Sequence, residues 1–137
     1  MSKSLTIGAL SKATDTKVNT VRFYEQIGLM PEAQRTAAGR RVYTNADVRR
    51  LRFIRNSRRL GFSTSEVRSL LRLEDGPQQT CDQALEIAAG LQRQVSGKIA
   101  HLKALEAHLV QMISRCEAGT SVDECGILDS LAGSLEL

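Results

Sequence analysis

Along the first half of the chain, apolar positions recur at helical spacing in short runs broken by turn residues. Ile7 and Leu10 share a face three residues apart, and Thr6 precedes them as a cap, so a helix is predicted from Ile7 to about Ala13. Thr14-Asp15-Thr16-Lys17 reads as a turn. A second helix follows from about Val18 to Ile27 and closes at Gly28. Val21 and Tyr24 fall on its inward face, and Asn19, Thr20 and Arg22 on the outward one. Pro31 blocks further helix. The stretch from Arg35 to Tyr43 has turn residues in its middle and suits a two-stranded wing with Gly39 near the tip. A third helix, capped by Thr44 and ended by Gly61, carries a core stripe of Val48, Leu51 and Ile54. Ser63-Thr64-Ser65-Glu66 is a capping box for a fourth helix over about 64–73.

Beyond a short linker, 74–80, the period changes. From Asp82 to Cys116 there is no proline, and Ala88, Val95, Leu102, Leu109 and Cys116 recur every seven residues. Leu91, Ile99, Leu105, Met112 and Ile113 fill most intervening core positions. Sustained heptads predict a coiled coil, and a lone helix cannot cover its own apolar stripe, so a partner is required. The pattern therefore predicts a mainly α protein. Its parts are a domain of short helices (1–73), the linker, a long helix (81–116), and a loop with a C-terminal tail (117–137).

Composition sharpens this picture. With 137 residues, 42% of them hydrophobic and 4% aromatic, the chain can bury a helical core and argues against a sandwich or barrel. Its apolar runs fall short of the ~18 residues a membrane span needs. No basic-plus-apolar leader opens it, so a cytoplasmic location without membrane partners is expected. Charge is divided unequally: residues 1–73 hold 15 Lys/Arg against 5 Asp/Glu, and residues 74–137 hold 4 against 10. A basic half of this kind points to a polyanion, because neutralising phosphates releases counterions.

Two short helices joined by a tight turn make a helix-turn-helix, whose second helix enters the major groove of DNA. Asn19 and Arg22 have the groups that read adenine and guanine or grip phosphate. In the wing, Arg35, Arg40 and Arg41 would lie over a phosphate backbone. Arg49, Arg50, Arg52, Arg55, Arg58 and Arg59 crowd the third helix, where no matching set of acids balances them.

Six blocks occur here in order: Thr6-Ile7-Gly8, Val21-Arg22-Phe23-Tyr24-Glu25, Gly28-Leu29, Arg40-Arg41-Val42-Tyr43, Leu60-Gly61-Phe62-Ser63 and Leu70-Leu71-Arg72-Leu73. Together they resemble the MerR family of bacterial transcription regulators over residues 5–131. The resemblance implies a winged helix-turn-helix domain, a long antiparallel dimerisation helix and a short effector-binding tail. It assigns Asn19, Thr20, Arg22 and Tyr24 to the recognition helix, Arg35, Arg40 and Arg41 to the wing, and Arg55 and Arg58 to the backbone-facing side of the third helix.

The three cysteines carry the remaining chemistry. Along a helix, Cys81 and Cys116 lie about 50 Å apart and cannot share a ligand within one chain. Cys116 and Cys125 can, because the eight-residue loop between them, containing Gly119, has slack to turn back. If two copies pair antiparallel, Cys81 of one lands beside Cys116 and Cys125 of the other, giving two equivalent three-thiolate sites. Such soft ligands suit Hg(II), Pb(II) or Cd(II), and Zn(II) if a fourth ligand is found; Asp123 or Glu124 could add an oxygen. His101 and His108 lie too far along the helix from Cys116 to share an ion with it.

The resemblance agrees and adds detail. It implies a divalent ion from a cysteine at the start of the dimerisation helix, with mercury favoured and lead and cadmium close behind. It further implies a homodimer on a pseudo-palindromic promoter, with RNA polymerase held inactive until the effector untwists the operator. The alternative within the same fold is a thiol-redox sensor using Cys116 and Cys125. An enzyme is not expected, since no catalytic grouping, Walker loop or paired carboxylate stands out.

Overall fold

The computed structural model describes residues 4–76 and 80–134. The elements run α1 (Ile7–Thr14), α2 (Val18–Gln26), β1 (Gln34–Arg35), β2 (Arg41–Val42), α3 (Asn45–Leu60), α4 (Thr64–Glu74) and α5 (Asp82–Ser114). A 3-10 turn at Val122–Glu124 and α6 (Gly126–Ala132) complete them. Contacts divide the chain into two units, Met1–Ile87 and Ala88–Leu137, with the boundary falling inside the continuous helix α5. The reason is local: Cys81 and Ala84 border a hollow with Phe53, Leu70 and Leu73.

Side-chain caps fix the starts of α1, α3 and α4, whereas α2 begins after Lys17 with none. The Thr6 hydroxyl accepts from the Ala9 N–H at 3.1 Å, and Ser63 and Glu66 form the expected reciprocal box. Thr44, expected as a simple cap, forms a second such box with Asp47. α1 ends at Asp15 in the left-handed conformation (φ 49°), its N–H bonded to the carbonyls of Lys12 and Ser11. α3 ends at Gly61 (φ 105°), where only glycine is free of Cβ strain.

The wing forms with the expected tip. Gln34 pairs with Val42 and Arg35 with Arg41, and Gly39 takes φ 83°. An unforeseen third pair extends it: Leu5 and Tyr43 exchange two 2.8 Å backbone bonds, tying the N-terminal segment to the wing. Leu10, Val21, Leu29, Met30, Tyr43, Leu51, Ile54 and Val67 make the core and are at most 1% exposed.

In the second unit α5 stops at Ser114, two residues before the predicted end. Arg115 and Cys116 instead donate to Met112 and Ile113 in a tightened turn, because the chain must reverse for Cys125 to return. Leu102, Leu109 and Ile113 stay 56–63% exposed along α5. The predicted apolar tail helix exists as α6 with Ile127 half-buried, but Leu128 and Leu131 remain exposed in the single chain and do not close over the cysteines. The expectation of a frayed end over 132–137 falls half on residues outside those described (135–137), as does part of the 74–80 linker, while Ala132 still belongs to α6. Among the described residues no helix is long and apolar enough to cross a membrane.

Candidate nucleic-acid interface and thiol pair

Two hollows gather the basic residues singled out from sequence. One, of about 470 Å³, is bordered by Lys17, Thr20, Tyr24, Arg55, Arg58 and Arg59. The other, of about 300 Å³, lies between α2 and the wing and is bordered by Arg22, Glu25, Arg35 and Arg41. Asn19, Arg22, Arg35, Arg40 and Arg58 are exposed, and Thr20, Arg41 and Arg55 are half-buried. Tyr24 is only 8% exposed, so its ring belongs to the core and only its edge reaches the first hollow.

The arginines of α3 are less free than their number suggests. Arg49 pairs with Glu74, Arg50 with Asp75 at 3.3 Å, and Arg55 with Asp15 at 3.0 Å. Arg52 and Arg58 donate to the carbonyls of Ala13 and Phe62. For three of the six arginines the compensating acids exist after all, supplied by residues outside α3. Arg35 likewise donates to the Gly39 carbonyl at 2.9 Å, which stiffens the wing hairpin from within.

Sequence reasoning missed Glu25 and Tyr43. The Tyr43 hydroxyl donates to Glu25 Oε1 at 2.6 Å, and Arg41 Nη1 donates to Oε2 at 3.4 Å. The available signal was the two-residue spacing of Arg41 and Tyr43, which puts both on one side of a strand. Burial, reinforced by the Glu25 carboxylate, pushes the Tyr43 phenol up from 10.0 to about 12. The folded state thus holds this proton more tightly than the unfolded chain. The stability it confers is complete below pH 10 and is lost as pH rises toward 12. In a phenolate absorbance titration, the Tyr43 component, isolated by difference from Tyr43→Phe, is expected to appear near pH 12. Ionisation near pH 10 would show that Tyr43 is not enclosed as described.

In the second unit the loop does bring two thiols together: Cys116 Sγ and Cys125 Sγ stand 4.0 Å apart. Gly126 makes the approach possible, since a Cβ there would fall 2.9 Å from the Arg115 carbonyl. Cys125 caps α6, and the Leu128 N–H, with help from that of Ile127, draws its thiol below the usual range. The hydrogen bond to Cys125 raises Cys116, so Cys125 is the first of the pair to ionise. Two sulfurs each ~2.3 Å from one ion would lie ~3.8–4.0 Å apart, so the pair fits a thiophilic metal without rearrangement. A disulfide would need closure to ~2.05 Å.

Cys81, in the other unit, is exposed, and among the described residues of this single chain no three metal-binding side chains cluster. His101 is exposed and His108 half-buried.

Residues 5–74 match the family model described as MerR HTH family regulatory protein, and residues 48–112 match one described as MerR, DNA binding. The chain is 38% identical over 135 residues to the mercuric resistance operon regulatory protein of Pseudomonas fluorescens, spanning 98% of this chain and 92% of that one. Among solved structures it resembles the transcription regulator PbrR691 from Ralstonia metallidurans CH34, determined in complex with lead(II). The TM-score is 0.82 at 38% identity, covering 93% of this chain and 98% of that one. It also resembles the dual-function regulator MerR from Bacillus megaterium MB1, determined with mercury(II), at a TM-score of 0.65 and 28% identity over 91% and 96% of the two chains. The sequence blocks, the winged helix-turn-helix and these likenesses agree, and the chain belongs to the MerR family of helix-turn-helix regulatory proteins.

Proposed function

We propose that this chain is a cytoplasmic, metal-responsive transcription regulator that binds promoter DNA as a homodimer and senses a soft divalent ion, mercury(II) before lead(II) or cadmium(II). The observation that carries the reading is the 4.0 Å thiol pair beyond an exposed heptad stripe. A pair alone leaves a trigonal or tetrahedral ion short of ligands. In an antiparallel dimer Cys81 of the second copy supplies the third sulfur at each end. The ion itself supplies a strong cross-link between the copies, and zinc(II) remains the weaker candidate because it asks for a fourth ligand.

The chain's own residues do the rest. Asn19, Thr20 and Arg22 address the major groove, with Tyr24 backing them from the core, and Arg35, Arg40 and Arg41 address the flanking backbone. Arg55 and Arg58 hold phosphates beside the recognition helix. With the pair already spaced for an ion, it is the approach of the second copy's Cys81 that differs between the free and the ion-bound dimer, and only that difference shifts the DNA distortion that the pair of winged domains favours. RNA polymerase then reads a realigned promoter, and no catalytic turnover is involved.

A metal-competition titration of the reduced protein tests the reading, repeated with Cys81→Ser. Wild type is expected to show thiolate-to-metal absorption with one ion per thiol triplet, and Cys81→Ser is expected to weaken binding by about 100-fold. Unchanged affinity in Cys81→Ser would leave Cys81 outside the site. Activation of chelator-treated protein by an oxidant would favour the redox reading of the same thiol pair.

A further inference from the structure

The basic hollow between α2 and the wing is bordered by two carboxylates, exposed Glu32 and the largely enclosed Glu25, and an enclosed one is unexpected on a surface that addresses phosphates. Glu25 is only 10% exposed, and it uses both oxygens, on Tyr43 and on Arg41. Arg22 lies one helical turn before it and borders the same hollow with Arg35. A negative charge here subtracts from attraction to any polyanion, whatever its base sequence. The fold does not need that charge to fill space, because a neutral amide of the same shape would accept the Tyr43 hydrogen bond equally well.

What the carboxylate does is join two elements that otherwise meet at few points. Its partners, Arg41 and Tyr43, straddle the end of β2, and Tyr43 in turn holds Leu5 through two backbone bonds. Glu25 stands on α2, among the residues assigned to base reading. We propose that Glu25 is a positioning and specificity-determining residue that braces the wing against the recognition helix and lowers the affinity for duplex DNA of arbitrary sequence. The brace sets where Arg41 points, and the charge keeps Arg22, Arg35 and Arg41 from gripping every phosphate equally.

The inference rests on the DNA-binding reading, and two conservative variants of the full chain separate the brace from the charge. Glu25→Gln keeps an acceptor for Tyr43 but removes the charge; Tyr43→Phe keeps the charge but removes the bond. Each is titrated over a range of salt against a random-sequence duplex and against a duplex selected by the wild-type protein from a random pool. Glu25→Gln is expected to bind the random duplex about three- to fivefold more tightly. Its salt dependence should steepen by about one unit, and its preference for the selected duplex should fall at least as far. Tyr43→Phe is expected to leave the salt slope unchanged while hydrogen exchange at the amides of Leu5 and of position 43 speeds by about fivefold. Glu25→Gln with the wild-type slope and preference overturns the assignment, as does Tyr43→Phe with wild-type exchange at the wing. Failure of the wild type to bind either duplex overturns the DNA-binding reading itself, and this assignment with it.

Discussion

Leu102→Asp is expected to convert the protein to a monomer at micromolar concentration. Leu102 is 63% exposed in the single chain, in the middle of a stripe that continues through Leu109 and Ile113. Burying one leucine side chain is worth about 2 kcal/mol, and a two-fold pair buries it twice. Losing both contributions, before counting the cost of placing a carboxylate there, weakens association by about 4 kcal/mol, about a thousandfold. Sedimentation equilibrium of the wild type and the variant checks this. A variant that sediments at the wild-type mass would mean that this stripe is not where the copies meet.

Cys125→Ser is the second large effect. A four-ligand structural zinc site is worth roughly 10–16 kcal/mol, about 3 kcal/mol per ligand, so loss of one thiolate costs about 100-fold or more in affinity. Cys125 carries more than an average share, because the Leu128 and Ile127 N–H groups favour its ionised form and so ease the loss of its proton to the ion. Cys125→Ser is therefore expected to lose soft-metal binding altogether at concentrations that saturate the wild type. Helical content and DNA affinity without metal should stay unchanged, since the thiol lies beyond α5 and outside the winged domain. Competition with a thiol chelator gives the affinity, and circular dichroism the control. Retained tight binding would place the ion elsewhere.

These two sites were legible to different depths in the sequence. Helix starts were read well because capping is local: Thr6, Thr44 and Ser63 each bond a group three residues away. The thiol pair was legible for the same reason, with only an eight-residue, glycine-containing loop between its members. The end of α5 was misplaced because heptad spacing extends to Cys116, while the helix must stop earlier for the loop to reverse. Partners distant in sequence were invisible. Asp15 with Arg55, Glu74 with Arg49 and Tyr43 with Glu25 are separated by 18 to 40 residues, and no periodicity links them. The crowding of arginines on α3 was plain, but how many were engaged within the fold depended on packing that the pattern does not encode.

That engagement has a consequence for how the winged domain responds to its solution. Arg49 and Arg50 fasten the end of α4 to α3, and Arg55 fastens the turn after α1 to it, through bridges open to water. Dissolved ions screen such exposed bridges as they screen attraction to phosphates. Rising ionic strength therefore loosens the frame and the grip together, so the domain becomes more pliable under the same conditions in which it releases its polyanion.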